Sequence, residues 1–395
     1  MPAYDDSQNI LYLDHAATSW PKSETMLTAM ADFARHEAGN PGRAGHRLST
    51  AAQSVMDRTR TVLVRLMRVP DPSHVVFTHN GTDALNLTIQ GVLPETPADP
   101  KPHVVTTTLE HNATSRVLET LHQQNHISLT RVPFNQSGVV EAPALLSTCT
   151  DQTKLVVISH ASNVLGTLQP IAEIGEQLAA TQTLLCVDAA QTAGLVPIDM
   201  DSLHIDLLAF SGHKSLAGPT GTGALCLSQR AAEAIHPIRF GGTGGDSKTP
   251  TQPHELPHRL EAGTPNTIGL AGLLAAIEPL TDDILTQRLR TERALRTQLL
   301  DGLQRIPALQ PLGSADSSQT IGILSLTSSL LDAASLASIL DGSFHIAARA
   351  GLHCSPQVHR QLGLLPDGAL RISFGPSNTP EDVDRLLAAL AAIHA

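Results

Sequence analysis

The pentapeptide Phe210-Ser211-Gly212-His213-Lys214 follows an apolar run, Ile205 to Ala209, that reads as a buried strand. A lysine at the mouth of such a strand answers desolvation by losing its proton, because a buried ammonium is costly unless paired. A neutral lysine amine is a nucleophile toward aldehydes and forms Schiff bases. The competing reading is a strand-end lysine whose amine stays in solvent, and the pentapeptide alone leaves the two open.

A second reactive group stands in Ala348-Arg349-Ala350-Gly351-Leu352-His353-Cys354-Ser355-Pro356. Arg349 and His353 can favour a thiolate at Cys354. Gly351 and Pro356 bracket the cysteine on a short, defined loop. Cysteine is readily buried as a small hydrophobe, and Cys149, Cys186 and Cys226 sit in settings that suit packing.

Other residues would complete an aldehyde-cofactor site. His79-Asn80-Gly81-Thr82-Asp83 joins a strand to a helix, so Gly81 and Thr82 can offer amides and a hydroxyl to a phosphate. Ser211 and His213 can add donors. Asp188, at the end of Leu184 to Asp188, can pair with a pyridinium nitrogen, and Gln191 can bond a ring phenolate. His111 follows a strand end in Glu110-His111-Asn112 and can stack on a flat ring. Arg371 suits bidentate binding of a substrate carboxylate. Each also has an ordinary structural explanation: a tight turn, a helix-capping aspartate, a structural histidine, a surface ion pair. Together they fall at successive strand ends, where open α/β sheets place ligands. The set reads as a pyridoxal 5'-phosphate site.

The elements that must carry these residues alternate. Strands are expected at His74–Thr78, His103–Thr107, Leu155–Ser159, Leu184–Asp188 and Asp206–Phe210, with helices at Thr82–Val92 and from Pro170 to about Ala180. This rhythm predicts a parallel sheet covered on both faces. Leu48 to about Met67 has helical periodicity with Ser49 as a cap. The pattern changes from about Ile268: a long amphipathic helix, Asp282 to Leu303, then strands near Ile321–Leu326, His345–Arg349 and Leu370–Phe374. A last helix starts at Thr379-Pro380-Glu381-Asp382, with Thr379 as cap. Gly241 to Pro257 reads as a long loop.

The 395 residues, 41% of them hydrophobic, can bury a large core, and more than one domain is expected. A net charge of -11 without a basic stripe argues against nucleic-acid binding. No apolar run reaches the ~18 residues of a membrane span. The start, MPAYDDSQNI, lacks the features of a signal peptide. The four cysteines show no C-x-x-C spacing, and the 19 histidines no metal-ligand spacing, so no metal site is expected and the cytoplasm is the expected compartment.

In order along the chain, Tyr12-Leu13-Asp14-His15-Ala16-Ala17-Thr18, Asn40-Pro41-Gly42-Arg43, Gly81-Thr82-Asp83-Ala84, Glu110-His111 and Ser162 to Gly166 are followed by Asp188-Ala189-Ala190-Gln191, Ser211 to Lys214, Glu261 to Asn266 and Arg349 to Cys354. This ordered set resembles the cysteine desulfurases, class-V aminotransferase relatives within fold-type-I pyridoxal phosphate enzymes. The resemblance implies an α/β fold. Residues 20–267 would form the large cofactor domain, its mostly parallel sheet covered by helices. Residues 1–19 and 268–395 would form a smaller α+β domain.

It also implies roles: Lys214 holding the cofactor and moving protons, His111 stacking, Asp188 and Gln191 on the ring, and Gly81, Thr82, Ser211 and His213 at the phosphate. Asn163 and Arg371 would orient the substrate carboxylate, with Arg349 and His46 lining the pocket. Thr264 would reach the cofactor phosphate of a second subunit in a homodimer. Cys354 would take sulfur from L-cysteine as a persulfide, leave alanine, and pass the sulfur to a protein acceptor, as in iron–sulfur cluster assembly. The short Arg-x-Gly-x-His-Cys loop resembles the Suf-type group. Leu352 and His15 depart from common relatives, which keeps selenocysteine open as a substrate. The rival readings are a selenocysteine lyase, another class-V lyase or aminotransferase, and a non-catalytic sulfur-relay scaffold.

Overall fold

The computed structural model describes residues 10–395 apart from 43, 44, 95, 97, 244–247 and 249. The expectations for the extreme N-terminus, for Arg43 and for part of the loop from 241 to 257 therefore lie outside the described residues. The strands in chain order are β1 (Leu11–Tyr12), β2 (Val75–Thr78), β3 (His103–Thr107), β4 (Ser128–Val132), β5 (Thr153–Ser159), β6 (Leu184–Asp188), β7 (Leu207–Ser211), β8 (Gly223–Leu227), β9 (Leu309–Pro311), β10 (Ile323–Ser328), β11 (Ile346–Ala347), β12 (Arg349–Gly351) and β13 (Ala369–Ser373).

Seven strands form the central sheet in the order β2-β8-β7-β6-β5-β3-β4. The pairs from β7 through β4 are parallel, while β8 runs antiparallel to both its neighbours. The sheet is thus mostly parallel and contains one reversed strand. β6 and β7 are buried along their whole length, as expected for strands covered on both faces. Apolar side chains from the two faces join separate cores: Val187, Leu208 and Phe210 on one side, Cys186, Leu207 and Ala209 on the other. The parallel pairing of β7, β6, β5, β3 and β4 places their carboxyl ends at a common edge.

A second sheet, ordered β12-β13-β10-β9, is antiparallel. Its core unites Leu11 and Leu13 with Leu299, Leu324, Ile372 and Leu386. β1 pairs in parallel with β11 as a separate two-stranded sheet, and a bridge from Asp14 to Ser373 of β13 ties this N-terminal segment to the C-terminal sheet. Helix Thr267–Ile277, expected to open the small domain, instead contributes Leu270, Leu273 and Ile277 to a core of the large sheet. Its apolar surface is nearly continuous, so it buries well between helices Glu24–His36 and Arg47–Met67. The change of packing partner comes within helix Asp282–Leu303, whose later residues Leu295, Leu299 and Leu303 enter the small-sheet core.

Two local expectations are corrected. Ser49 does not cap its helix. His46 does, its Nδ1 accepting the Ser49 amide at 3.3 Å. His345 is not in a strand; it ends helix Ala333–Phe344 in a left-handed conformation, φ 54°. Thr379 does begin the last helix, and the Asp382 carboxylate accepts its amide at 3.0 Å.

Candidate active site

Lys214 lies three residues beyond β7, and Asp188 closes the neighbouring β6. Burial pushes the Lys214 ammonium down to about 8, with the Asp188 carboxylate pulling the other way. Asp188 is itself raised by burial, opposed by the Ala190 amide, which donates to Oδ1 at 2.9 Å, and by Lys214. Two strand ends thus set an amine opposite a buried acid.

His111 caps helix Asn112–Gln123, its Nδ1 accepting the Ala113 amide at 3.0 Å. That bond leaves the ring proton on Nε2. Burial, then the charges of Lys214 and Arg371, lower the imidazole to about 4, so it is a neutral flat ring at pH 7. Glu110, a residue to which sequence reasoning assigned no role, fixes this turn. Fully buried, it accepts Thr107 Oγ1 at 2.7 Å, Ser159 Oγ at 2.8 Å and the Ser159 amide at 3.1 Å. Burial pushes its carboxyl up to about 7. Its only local signal was adjacency to His111.

Gly81 begins helix Gly81–Gly91 and donates its amide to Ser211 Oγ at 2.9 Å. A Cβ there would stand 2.9 Å from the same oxygen, so glycine is what lets the helix start close to β7. In this first turn the Asp83 amide goes to the capping Asn80 Oδ1 at 2.9 Å, and Gly81 and Thr82 line the cleft. Gly81, Thr82, His111, Asn163, Asp188, Gln191, Ser211 and Lys214 all line one cleft. Gln191 is steadied by donation from Nε2 to the Ala16 carbonyl at 3.0 Å.

Cys354 is exposed, on a loop strained by two successive left-handed residues, His353 (φ 50°) and Cys354 (φ 57°). Three bonds hold it. Asn163 Nδ2 donates to the His353 carbonyl at 2.7 Å, Ser355 Oγ donates to Asn163 Oδ1 at 2.8 Å, and the Asn112 amide donates to the Cys354 carbonyl at 2.7 Å. Asn163 follows β5 and Asn112 opens the helix after β3, so elements of the large sheet hold a loop that leaves β12 of the small sheet. Cys354 comes within electrostatic reach of Lys214. The expected thiolate helpers are committed elsewhere: His353 Nε2 faces the Ala369 carbonyl at 3.0 Å, and Arg349 pairs with Asp14.

Arg371 is buried on β13. Its Nη1 donates to the Asn163 carbonyl at 3.0 Å and its Nη2 to Asp14 Oδ1 at 2.8 Å, while Nε is buried without a protein partner. Asp14 had no assigned role, because its partners lie 335 and 357 residues away. Of the expected residues, Cys354, Arg349 and Arg371 act on Lys214 electrostatically without lining the cleft, and His213, His46 and Thr264 stand off it. His213 Nδ1 meets Thr18 Oγ1 at 3.1 Å, and His213 does not line the cleft. His46 is exposed at its helix start. Thr264 lines a larger, open cavity with Asn40, Asp83, Arg239 and Glu261. Lys214, Asp188 and His111 meet in the smaller cleft.

The family model for aminotransferase class-V matches residues 11–386. The chain belongs to this family, in its cysteine desulfurase branch. It is 32% identical to a probable cysteine desulfurase of Halalkalibacterium halodurans, over 98% of this chain and 94% of that protein. It is 31% identical to the cysteine desulfurase CsdA of Escherichia coli, over 98% and 94%. The apo structure of a cysteine desulfurase from Thermococcus onnurineus NA1 superposes with a TM-score of 0.91 at 28% identity, covering 98% of this chain and 95% of that one. Class-V aminotransferases use pyridoxal phosphate, and this cleft suits it. A depressed lysine faces a buried acid and a neutral imidazole, a helix start with Gly81 and Thr82 borders the cleft, and a buried guanidinium Nε nearby has no protein partner.

Proposed function

We propose that this chain is a pyridoxal phosphate-dependent cysteine desulfurase that converts L-cysteine to L-alanine and leaves a persulfide on Cys354. The observation that supports it is that the Cys354 thiol, on a loop braced by the cleft residue Asn163, comes within electrostatic reach of the Lys214 amine. Lys214 would hold the cofactor, with Asp188 and Gln191 at its ring, His111 stacked on it, and Gly81, Thr82 and Ser211 at its phosphate. The bound cofactor supplies an electron sink for charge developing at the substrate Cα. Arg371 offers Nε to the substrate carboxylate, and Asn163 positions both Arg371 and the cysteine loop. The Lys214 amine, depressed by burial, takes and returns protons near neutral pH. Cys354 Sγ forms a bond to the substrate sulfur as the substrate Cβ–S bond breaks; Cβ gains a proton and becomes the methyl of alanine. One L-cysteine and one thiol give one alanine and one persulfide, so the step balances without an added oxidant.

The persulfide's exposed position suits transfer to a protein acceptor. We further propose a cytoplasmic homodimer in which Thr264 and the exposed segment bearing His46 serve the neighbouring subunit, since both stand apart from the cleft of their own chain. The test is simultaneous assay of alanine and protein-bound persulfide from L-cysteine. Cys354→Ser is expected to abolish the persulfide and Lys214→Ala to abolish both products. Undiminished sulfur release by Cys354→Ser would overturn the nucleophile assignment.

A further inference from the structure

β12 and β13 set Arg349 directly opposite Arg371 in an antiparallel pair. Like charges so placed repel, and one carboxylate lies between them. Asp14 Oδ1 accepts Arg371 Nη2 at 2.8 Å; its Oδ2 accepts both Nε and Nη2 of Arg349, each at 2.8 Å. Asp14 is almost buried, as is Arg371, whereas the Arg349 side chain is about half exposed. The two arginines differ in what they have left. Arg371 keeps a buried Nε without a protein partner, and its charge reaches Lys214 and His111. Arg349 has one edge of its fork wholly occupied by Asp14, in the geometry that a second ligand carboxylate or sulfinate would use.

We infer that Asp14 is a specificity-determining residue: an internal anion that occupies the Arg349 fork and so biases the site toward amino acids with one anionic group over those with two. This rests on the proposed amino-acid reaction. L-Cysteine brings a single fixed anion, its α-carboxylate, and Arg371 suffices for it. Cysteine sulfinate or aspartate brings a second anion, which must compete with Asp14 for Arg349. A fixed internal carboxylate has the advantage because it is already oriented and desolvated, and discrimination of this kind works by repelling the wrong ligand as well as by binding the right one.

The test uses the cofactor-loaded enzyme. Asp14→Asn keeps the shape and removes the charge. It is expected to raise the ratio of kcat/KM for cysteine sulfinate to that for cysteine by about tenfold, the scale of one charge-assisted contact. Asp14→Asn with Arg349→Gln is expected to return the ratio to near the wild-type value. Arg349→Gln alone is expected to change it little. A readout independent of turnover is binding of succinate against propionate, by calorimetry: the preference for the dianion rises in Asp14→Asn. An unchanged kcat/KM ratio together with an unchanged binding preference, in an Asp14→Asn protein that still loads cofactor, would overturn the inference. Loss of cofactor loading in that variant would equally assign Asp14 a purely structural role. Failure of the wild-type enzyme to form alanine from cysteine would instead overturn the proposed reaction, while the succinate comparison would still decide the role of Asp14.

Discussion

Lys214 shows how burial makes a reagent of an ordinary side chain. Its folded pKa of about 8 lies below the ordinary 10.5, so between those values the unfolded chain holds more protons than the folded one. Stability of the cofactor-free protein should therefore rise with pH through that window as the buried charge is lost. Below pH 8 the protonated amine is a standing cost. Lys214→Met should be more stable than wild type at pH 7, and the difference should shrink by pH 10.5. Urea melts across that range check the sign. Lys22 is also lowered to about 8 by burial, but it donates to Ser19 Oγ and to the His213 and Gly218 carbonyls, so it is common to both proteins and cancels in the difference.

At the scale of elements, the site is a set of strand-to-helix turns sharing one sheet edge. Gly81→Ala should weaken cofactor loading by roughly tenfold or more, because a methyl group would push Ser211 away from the helix start. Cofactor titration of the apo-protein reads this directly. The Cys354 loop depends on Asn163, whose amide satisfies two groups of that loop. Asn163→Ala should destabilise the protein by about 1–3 kcal/mol through unsatisfied buried groups, with a larger fall in persulfide formation than in cofactor binding. Measuring both in one preparation separates a positioning role from general damage. The strands that bear Asp188 and Lys214 were legible as unbroken apolar runs. β8 was not expected, because an apolar run bordered by turns carries no mark of its direction.

At the scale of the whole molecule, the N-terminal strand β1 and the C-terminal sheet fold together, and the junction with the large domain holds a buried acid. Glu292 is pushed up to about 8 by burial, opposed by Arg288 and by the Gly322 amide. Here the folded state holds the extra proton between pH 4.5 and 8, so its stabilising contribution is complete below pH 4.5 and is lost as pH rises through 8. Glu292→Gln should flatten that loss in denaturation curves taken across the window.

The sequence by itself singled out the reactive side chains. Lys214, Asp188, His111 and Cys354 were legible because each follows a strand or loop signal and each residue type is expensive without a task. It determined the long helix from Asp282 to Leu303 as well, since periodicity over 22 residues is hard to mistake. Only the tertiary structure decided that Asn163 braces the cysteine loop and that His213 turns to Thr18. It alone joined Asp14 to Arg349 and Arg371. Those arrangements depend on contacts between residues up to several hundred positions apart, and no local pattern encodes a carboxylate's choice of distant partners. The reactive side chains are announced locally, whereas their orientation is a property of the packed domains.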